Sequence, residues 1–233
     1  MRFKDKVVLI TGASGGIGRG LVEAFASDGA SVAAVYNRNE VNFPEKVLKL
    51  KANLINPEEA QNVVAKCLDA LGNIDILING AAISSNNFVE KTTIEDWRSV
   101  MDANLTTAFN VTKYLLPSMK ERRTGRIINI SSIVGEIGAI GCSSYVASKA
   151  ALVGFTKALA KETVKYNIFV NAVLLGYFEA GLGLQFSPKL KQKITEMIPM
   201  ERFGNPEDVT KAIFFLSESE YMTGSAIRLS GGL

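Results

Sequence analysis

The stretch VVLITGASGGIGRGLVEAF, residues 7–25, combines a strand pattern, a glycine-rich turn and a helix pattern without interruption. Val7–Thr11 is a short apolar and β-branched run, which is typical of a buried strand. The glycines of residues 12–18 permit a tight turn and let backbone N–H groups approach a pyrophosphate at a helix N-terminus. The apolar residues that then share one helical face are Ile17, Leu21 and Phe25. The stretch therefore predicts a strand, a dinucleotide-binding turn and a helix.

Similar apolar runs, rich in Val and Ile, recur along the rest of the chain and predict further strands. The predicted strands are Val7 to Thr11, Ser31 to Tyr36, Val47 to Asn53, Ile74 to Asn79, Arg126 to Ser131, Phe169 to Leu174 and Ala226 to Leu229. Helical patterns lie between them, so the chain predicts an α/β fold: a doubly wound parallel sheet of about seven strands with helices on both faces. A chain of 233 residues fits one domain, 1–233.

Two segments between the strands carry clear local signals. Asn56 as cap, Pro57 at the first helical position, Glu59 as the capping-box acid and Gly72 as the stop predict a helix. Residues 176–200, with Gly176, Gly181, Gly183 and Pro188 close together, form the least regular part of the chain. This segment is a candidate substrate loop, with an ordinary surface connection as the alternative.

Composition and charge exclude several classes of protein. Lys plus Arg number 26 and Asp plus Glu 23, so the net charge of +3 is too small for a nucleic-acid footprint. The chain has no histidine, which excludes His-dependent triads and His-ligated metals. Cys67 and Cys142 form no CxxC pair, which argues against disulfides and thiolate zinc sites and favours the reducing cytoplasm. The N-terminal apolar segment ends at Gly12, too early for a signal peptide or membrane span.

The end of the second predicted strand favours NADP over NAD. At this position a carboxylate would accept hydrogen bonds from a ribose 2′-hydroxyl, whereas a base would pair with a 2′-phosphate. The chain has Asn37 and Arg38 here and no carboxylate. A guanidinium forms strong charge-assisted bonds with phosphate. The alternative is that Arg38 is a solvated surface residue; Arg19 is a second possible contributor or an ordinary helix-surface residue.

Tyr145 and Lys149 are four residues apart and would share one face of a helix. A tyrosine with an ordinary pKa of about 10 acts as an acid at neutral pH only if its anion is stabilised. Nearby positive charges lower the pKa of a phenol in this way. The alternative for the pair alone is a plain helix face with a lysine extending to solvent.

Four motifs together resemble the short-chain dehydrogenase/reductase family over essentially the whole chain. These are TGASGGIG at residues 11–18, Asn104 in NLTT, Ser132 placed 13 residues before Tyr145, and Lys149. The resemblance implies a single-domain Rossmann fold and carbonyl reduction by hydride from a nicotinamide cofactor. It implies that Tyr145 donates the proton, Ser132 orients the carbonyl oxygen, Lys149 binds the ribose and lowers the pKa of Tyr145, and Asn104 holds a water that links Lys149 to solvent.

The resemblance also implies the cofactor contacts. The phosphates would bind at Gly12, Ser14, Gly16, Ile17 and Gly18, and the adenine at Asn53 and Leu54. Asn79 after the fourth strand, Tyr145 and Lys149 are further implied contacts, beside the Asn37 and Arg38 already favoured for the 2′-phosphate. No metal is expected. The chain departs from the family pattern at Asn53, Ala82 and Leu175, where the family usually has Asp, Gly and Pro.

Within the family, IPMERFGNPEDV at residues 198–209 and YMTGS at residues 221–225 are similar to bacterial 3-oxoacyl-[acyl-carrier-protein] reductases of fatty-acid synthesis. This implies reduction of 3-oxoacyl thioesters with NADPH; alternatives are acetoacetyl-CoA, a sugar, a steroid or a small alcohol as substrate, or a non-catalytic dinucleotide-binding regulator. Arg122 and Arg123 match a basic segment that would dock an acidic carrier protein near the site mouth, or are an exposed helix end. The resemblance further implies a homotetramer, paired through the helix after Asn104 and the helix containing Tyr145.

Overall fold

A computed structural model of the chain describes residues 1–39, 42–181 and 186–233. Its strands are β1 (Val7–Thr11), β2 (Ser31–Tyr36), β3 (Leu48–Lys51), β4 (Ile76–Asn79), β5 (Gly125–Ser132), β6 (Ile168–Leu175) and β7 (Ala226–Leu229). They form one seven-stranded sheet in the order β3-β2-β1-β4-β5-β6-β7, with every neighbouring pair parallel. The predicted Rossmann-type α/β architecture and all seven predicted strands are confirmed. The strand order reverses between β1 and β4, where ligands of such sheets bind beyond the carboxyl ends of the strands.

Eight α-helices are assigned within the described residues. They are α1 (Gly16–Ser27), α2 (Pro57–Leu71), α3 (Ile94–Met101), α4 (Thr107–Arg122), α5 (Val134–Ile137), α6 (Ser143–Thr163), α7 (Pro188–Met197) and α8 (Pro206–Glu218). A π-helical turn, Asp102–Thr106, joins α3 to α4, and short 3₁₀ turns occupy Val89–Lys91 and Val164–Tyr166. None of the helices within the described ranges has both the length and the apolar character needed to cross a membrane.

The sheet separates two hydrophobic cores, one under each layer of helices. On the side of α1 and α8, the rings of Phe3, Phe25 and Phe214 pack edge to face with centroids 4.6–4.7 Å apart. On the side of α2, α4 and α6, buried side chains such as Leu115 and Leu159 cover the other face. Because both faces are covered, β1, β4 and β6 are buried along their whole length, which explains why they read as continuous apolar runs.

The helix predicted after Asn56 is confirmed, with one difference in its cap. The Asn56 side chain accepts a hydrogen bond from Glu58 N at 2.8 Å, Pro57 is the first helical residue, and the helix ends at Gly72. The Glu59 carboxylate does not complete a capping box on Asn56. It accepts instead from the backbone N–H of Asn53 at 2.8 Å, and thereby anchors the loop after β3.

Outside residues 182–185, the segment from 176 to 200 is more regular than its glycines predict. Ser187 caps α7 by accepting from Leu190 N at 3.3 Å, and Pro188 takes the first helical position. These two local signals start a ten-residue helix inside the expected loop. Gly183 of that segment lies outside the described residues.

Candidate active site

The glycine-rich turn joins β1 to α1 at the point where the strand order reverses. Gly12 has a φ of +69°, and a Cβ added there would lie 2.6 Å from the Gly80 carbonyl oxygen, so no side chain fits. Helix α1 starts after Gly15 without any side-chain cap, which leaves its first backbone N–H groups available for an anion. Ser14 and Ile17 are partly exposed at the same turn, and Gly18 is buried on the Gly12 carbonyl. The turn therefore fits a pyrophosphate.

Thr11 fixes the loop after β4 beside this turn. Its hydroxyl accepts from Gly80 N at 3.1 Å and from Ala81 N at 3.4 Å. The segment after β6 also approaches, since a Cβ added at Gly16 would lie 2.5 Å from Gly181 N. Three loops from the carboxyl edge of the sheet therefore meet around the glycine-rich turn.

The candidate ribose-phosphate residues lie directly beside the turn. Ala13 N donates to Val35 O at 3.0 Å and so ties the turn to the end of β2. Asn37 and Arg38 follow β2 and are exposed. Arg19 instead forms an (i, i+4) ion pair with Glu23 at 2.9 Å, which agrees with the helix-surface alternative for Arg19.

The candidate adenine residues follow β3 and are held by a side chain that the sequence analysis missed. Leu54 is buried and Asn53 is exposed. From α4, the Asn110 amide donates to Leu54 O at 3.0 Å and to Ile55 O at 3.1 Å. A buried Asn within the otherwise apolar face of α4 was the signal that could have identified it, because a buried amide requires hydrogen-bond partners.

Asn79 does not present its side chain to the cofactor region. Its Nδ2 donates to Asn129 Oδ1 at 2.8 Å and to Thr112 Oγ1 at 3.3 Å, and its Oδ1 is buried within the protein. The pairing of β4 with β5 sets Asn79 opposite Asn129 and turns the two amides toward each other. The side chain of Asn79 is therefore used within the protein, and the cofactor contact at Asn79 stays a prediction for its backbone.

Ser132, Tyr145 and Lys149 converge where β5 ends and α6 passes over it. The Ser132 hydroxyl donates to Leu175 O at 3.2 Å, and its presence beside the phenol favours a lower pKa for Tyr145. Lys149, one helical turn further on, is buried, and its Nζ donates to Ile130 O at 2.8 Å. The Nζ lies 5.6 Å from the centre of the Tyr145 ring. The predicted helix face is confirmed.

Burial is the main cause of the pKa shifts of Tyr145 and Lys149. It raises the pKa of Tyr145 to about 12, with the Ser132 hydroxyl opposing the rise. It lowers the pKa of Lys149 to about 8 because the buried ammonium loses hydration. The expected lowering of the Tyr145 pKa by Lys149 is not found in the chain alone, since the ammonium is directed to the Ile130 carbonyl.

Asn104 sits in the π-helical turn and is almost fully buried, with 1% exposure. Its Oδ1 accepts from Ile83 N at 2.8 Å, and its Nδ2 donates to Ile83 O at 3.0 Å and to Ser148 Oγ at 2.9 Å. Ser148, which lies between the two members of the Tyr-Lys pair, was not singled out from the sequence. Asn104 thus joins the loop after β4 to α6; its role in holding a water stays a prediction.

Arg122 and Arg123 lie at the other edge of the sheet. Arg122 pairs with Asp75 at 3.1 Å and donates to Ile74 O, both at the amino end of β4. Arg123 donates to Lys165 O at 2.8 Å. The length of β5, about 23 Å at 3.3 Å per residue, separates this edge from Ser132. The expected position near the site mouth is therefore wrong within one chain, because the amino ends of parallel strands share the opposite edge.

Comparison with known proteins agrees with this geometry. The sequence profile of the short chain dehydrogenases matches residues 6–190. The chain belongs to the short-chain dehydrogenase family. It is therefore an oxidoreductase that acts on a carbonyl or hydroxyl group with a nicotinamide dinucleotide.

The chain is also similar over its full length to several proteins of known name. The chain is 39% identical to the 3-oxoacyl-[acyl-carrier-protein] reductase FabG of Thermotoga maritima, with 100% of this chain and 99% of that protein aligned. It is 37% identical to the enzyme of the same name from Aquifex aeolicus, with the same coverage. It is 36% identical to nodulation protein G of Azospirillum brasilense, with 99% of each chain aligned.

Proposed function

We propose that this short-chain dehydrogenase is a 3-oxoacyl-[acyl-carrier-protein] reductase, which converts a 3-oxoacyl thioester to the 3-hydroxyacyl thioester with NADPH, the whole chain 1–233 acting as one domain. The convergence of Ser132, Tyr145 and Lys149 at the carboxyl edge of the sheet carries the chemical part of the proposal. Full-length similarity at 34–39% identity to reductases of this name supports the substrate.

Ser132 and Tyr145 are the groups that would act on the substrate carbonyl. Tyr145 stays protonated at neutral pH because its pKa is about 12, so it is in the form that can donate a proton to the carbonyl oxygen. Ser132 would donate a hydrogen bond to the same oxygen, in the manner of an oxyanion donor. When bound, the reduced nicotinamide supplies the hydride to the carbonyl carbon.

Lys149 would stabilise the Tyr145 phenolate that remains after proton donation. It would do so by moving its ammonium from Ile130 O toward the phenolate and the ribose, since a positive charge nearby favours the anionic form of a phenol. A lysine whose pKa is about 8 also gives up a proton more readily than an exposed one, so it is suited to return the proton to Tyr145.

The choice of NADPH is supported by Arg38, which is exposed beside the glycine-rich turn at the end of β2. We expect Arg38→Asp to reverse the preference between NADPH and NADH, because a carboxylate repels the 2′-phosphate and accepts from a ribose 2′-hydroxyl. Arg19→Asp is the matched control, since Arg19 pairs with Glu23 on the surface of α1. An unchanged ratio of the two cofactors in Arg38→Asp would remove this residue from the proposal.

A carrier protein has a basic surface available around Tyr166. Lys120 Nζ, Lys165 Nζ and the Arg123 guanidinium lie 5.1, 5.2 and 6.0 Å from the centre of that ring. Acidic carriers would dock on this surface rather than on Arg122, whose guanidinium is occupied by Asp75. Charge reversal at Arg123 should weaken a carrier-bound substrate more than a free thioester; equal effects on both would contradict docking here.

A homotetramer is supported by exposed apolar residues on α4 and α6. Phe109 is 47% exposed and packs edge to face on Phe155, with ring centroids 6.4 Å apart. The tetramer would bury these rings between copies, and it would bring the carrier surface of one copy closer to the active site of another. Sedimentation of Phe109→Lys should show smaller particles than the wild type.

A cytoplasmic location is supported by two free cysteines.

The decisive experiment follows NADPH oxidation with acetoacetyl thioesters of an acyl carrier protein and of CoA. We expect turnover that prefers the carrier-bound form and that is lost in Tyr145→Phe, although this variant still binds NADPH. Equal turnover of the two thioesters would favour a CoA substrate. Full activity of Tyr145→Phe would contradict the assigned proton donor.

A further inference from the structure

Tyr177 follows β6 on the catalytic edge of the sheet and was not singled out from the sequence. Leu175 is the last residue of β6. Its carbonyl oxygen accepts hydrogen bonds from Ile133 N at 2.9 Å and from Ser132 Oγ at 3.2 Å. The backbone two residues before Tyr177 is therefore fixed beside one of the two carbonyl-binding candidates. A negative charge on Tyr177 would also raise the pKa of Tyr145.

The position of Tyr177 is set by packed elements on both sides of its backbone. Gly204 N donates to Tyr177 O at 2.9 Å, in a short bridge that joins this segment to the entrance of α8. The Tyr177 ring packs against Phe186 and Phe203, with centroids 6.0 Å away in each case. The phenol is therefore held by a small hydrophobic cluster rather than by a free loop.

The hydroxyl of Tyr177 has no hydrogen-bond partner among the described residues, although the side chain is half-buried. Partial burial raises the pKa of this phenol, so it is a neutral donor at working pH. A half-buried donor with no partner among the described residues is available to an acceptor supplied by a ligand.

A 3-oxoacyl thioester carries two carbonyl oxygens, and the proposed function uses Ser132 and Tyr145 for only one of them. We propose that Tyr177 is a specificity-determining residue whose hydroxyl donates a hydrogen bond to the second, thioester carbonyl of the substrate. This inference rests on the proposed function and deepens it. Tyr177 then selects 1,3-dicarbonyl substrates over simple ketones, because a simple ketone leaves the phenol without an acceptor.

The test uses two substrates that differ only at the second carbonyl. One is the acetoacetyl thioester of N-acetylcysteamine; the other is the 3-oxobutyl thioether of N-acetylcysteamine, in which a CH₂ replaces the thioester carbonyl. Tyr177→Phe keeps the ring and its packing and removes only the hydroxyl. We expect kcat/KM for the thioester to fall by about tenfold, the effect of one lost hydrogen bond. Turnover of the thioether and the Kd for NADPH should stay unchanged. Tyr221→Phe, at a fully exposed tyrosine, is the matched control.

The outcomes separate this inference from the proposed function. If the wild type prefers the thioester and Tyr177→Phe keeps that preference, Tyr177 does not read the second carbonyl and only this inference is overturned. The same holds if kcat/KM of the variant falls equally for both substrates, because an equal fall reflects disturbed packing. If the wild type turns over the thioether as well as the thioester, or neither of them, the proposed function fails together with it.

Discussion

Replacing Lys149 with methionine should make the protein more stable while it removes turnover. Lys149 is buried with 2% exposure, and no carboxylate pairs with its Nζ among the described residues. Burial lowers its pKa from 10.5 to about 8. Each pH unit of such a difference corresponds to about 1.4 kcal/mol, so keeping this ammonium in the folded state costs about 3 kcal/mol below pH 8.

The sign of the pH dependence follows from the same two values. Between pH 8 and 10.5 the unfolded chain binds more protons at this lysine than the folded one, so the stability of the wild type rises with pH in that window. At pH 9.5 the cost has fallen to about 1 kcal/mol. Lys149→Met removes the cost at every pH, but it leaves Ile130 O without its donor, which costs about 1 kcal/mol.

The free energy of unfolding of Lys149→Met should therefore exceed that of the wild type by about 2 kcal/mol at pH 6 and match it at pH 9.5. In a chain of this size, the gain at pH 6 corresponds to a rise in Tm of about 4–8 °C. Urea unfolding at both pH values measures the difference directly. Lys157→Met, at an exposed lysine of the same helix, is the control and should show no pH-dependent gap. A Lys149→Met variant that is less stable at pH 6, or whose gap is the same at both pH values, would refute the reasoning.

Three further substitutions test the core and the cofactor cradle, by which we mean the glycine-rich turn (residues 12–18) and the loop after β3 with Asn53 and Leu54. Asn110→Leu removes the donor that holds Leu54 O, and should raise the Kd for NADPH about tenfold by fluorescence titration, with kcat at saturating NADPH unchanged. Gly12→Ala places a methyl group against the Gly80 carbonyl at a positive φ, and should lower Tm and abolish nucleotide binding by calorimetry. Phe25→Ala opens a cavity in the aromatic cluster and should lower the urea unfolding free energy by about 3–5 kcal/mol.

The fold was predictable because its signals are local. The central strands β1, β4 and β6 are apolar runs buried on both faces, and that pattern needs no knowledge of their neighbours. The helix after Asn56 was predictable for the same reason, since its cap, first-turn proline and terminal glycine lie within the helix and its ends. The spacing of Tyr145 and Lys149 likewise fixes a shared helix face, which the structure contains.

The sequence does not reveal side-chain directions that depend on partners far away in the chain. Asn79 turns toward Asn129 because β4 and β5 pair in that register, and the sequence does not contain the register. Arg122 is occupied by Asp75, which lies 47 residues earlier. Lys149 occupies the right helix face, but its long side chain selects the carbonyl at Ile130 over the phenol. In each case the residue type indicated the kind of contact, but the sequence did not show which partner the side chain contacts.

Asn104 explains why the cofactor cradle and the catalytic candidates form one unit. Its amide holds both backbone groups of Ile83 in the loop that follows β4, and its Nδ2 also donates a third hydrogen bond to Ser148 Oγ on α6. The same loop is held beside the glycine-rich turn through Thr11. A shift of α6 would therefore break buried hydrogen bonds on both sides, each expensive to leave unmade. The π-helical turn provides the geometry for this link, because it changes the direction in which Asn104 projects from the helix. The position of the cofactor and the position of Tyr145 are consequently set together, which is what transfer of a hydride and a proton to one carbonyl requires.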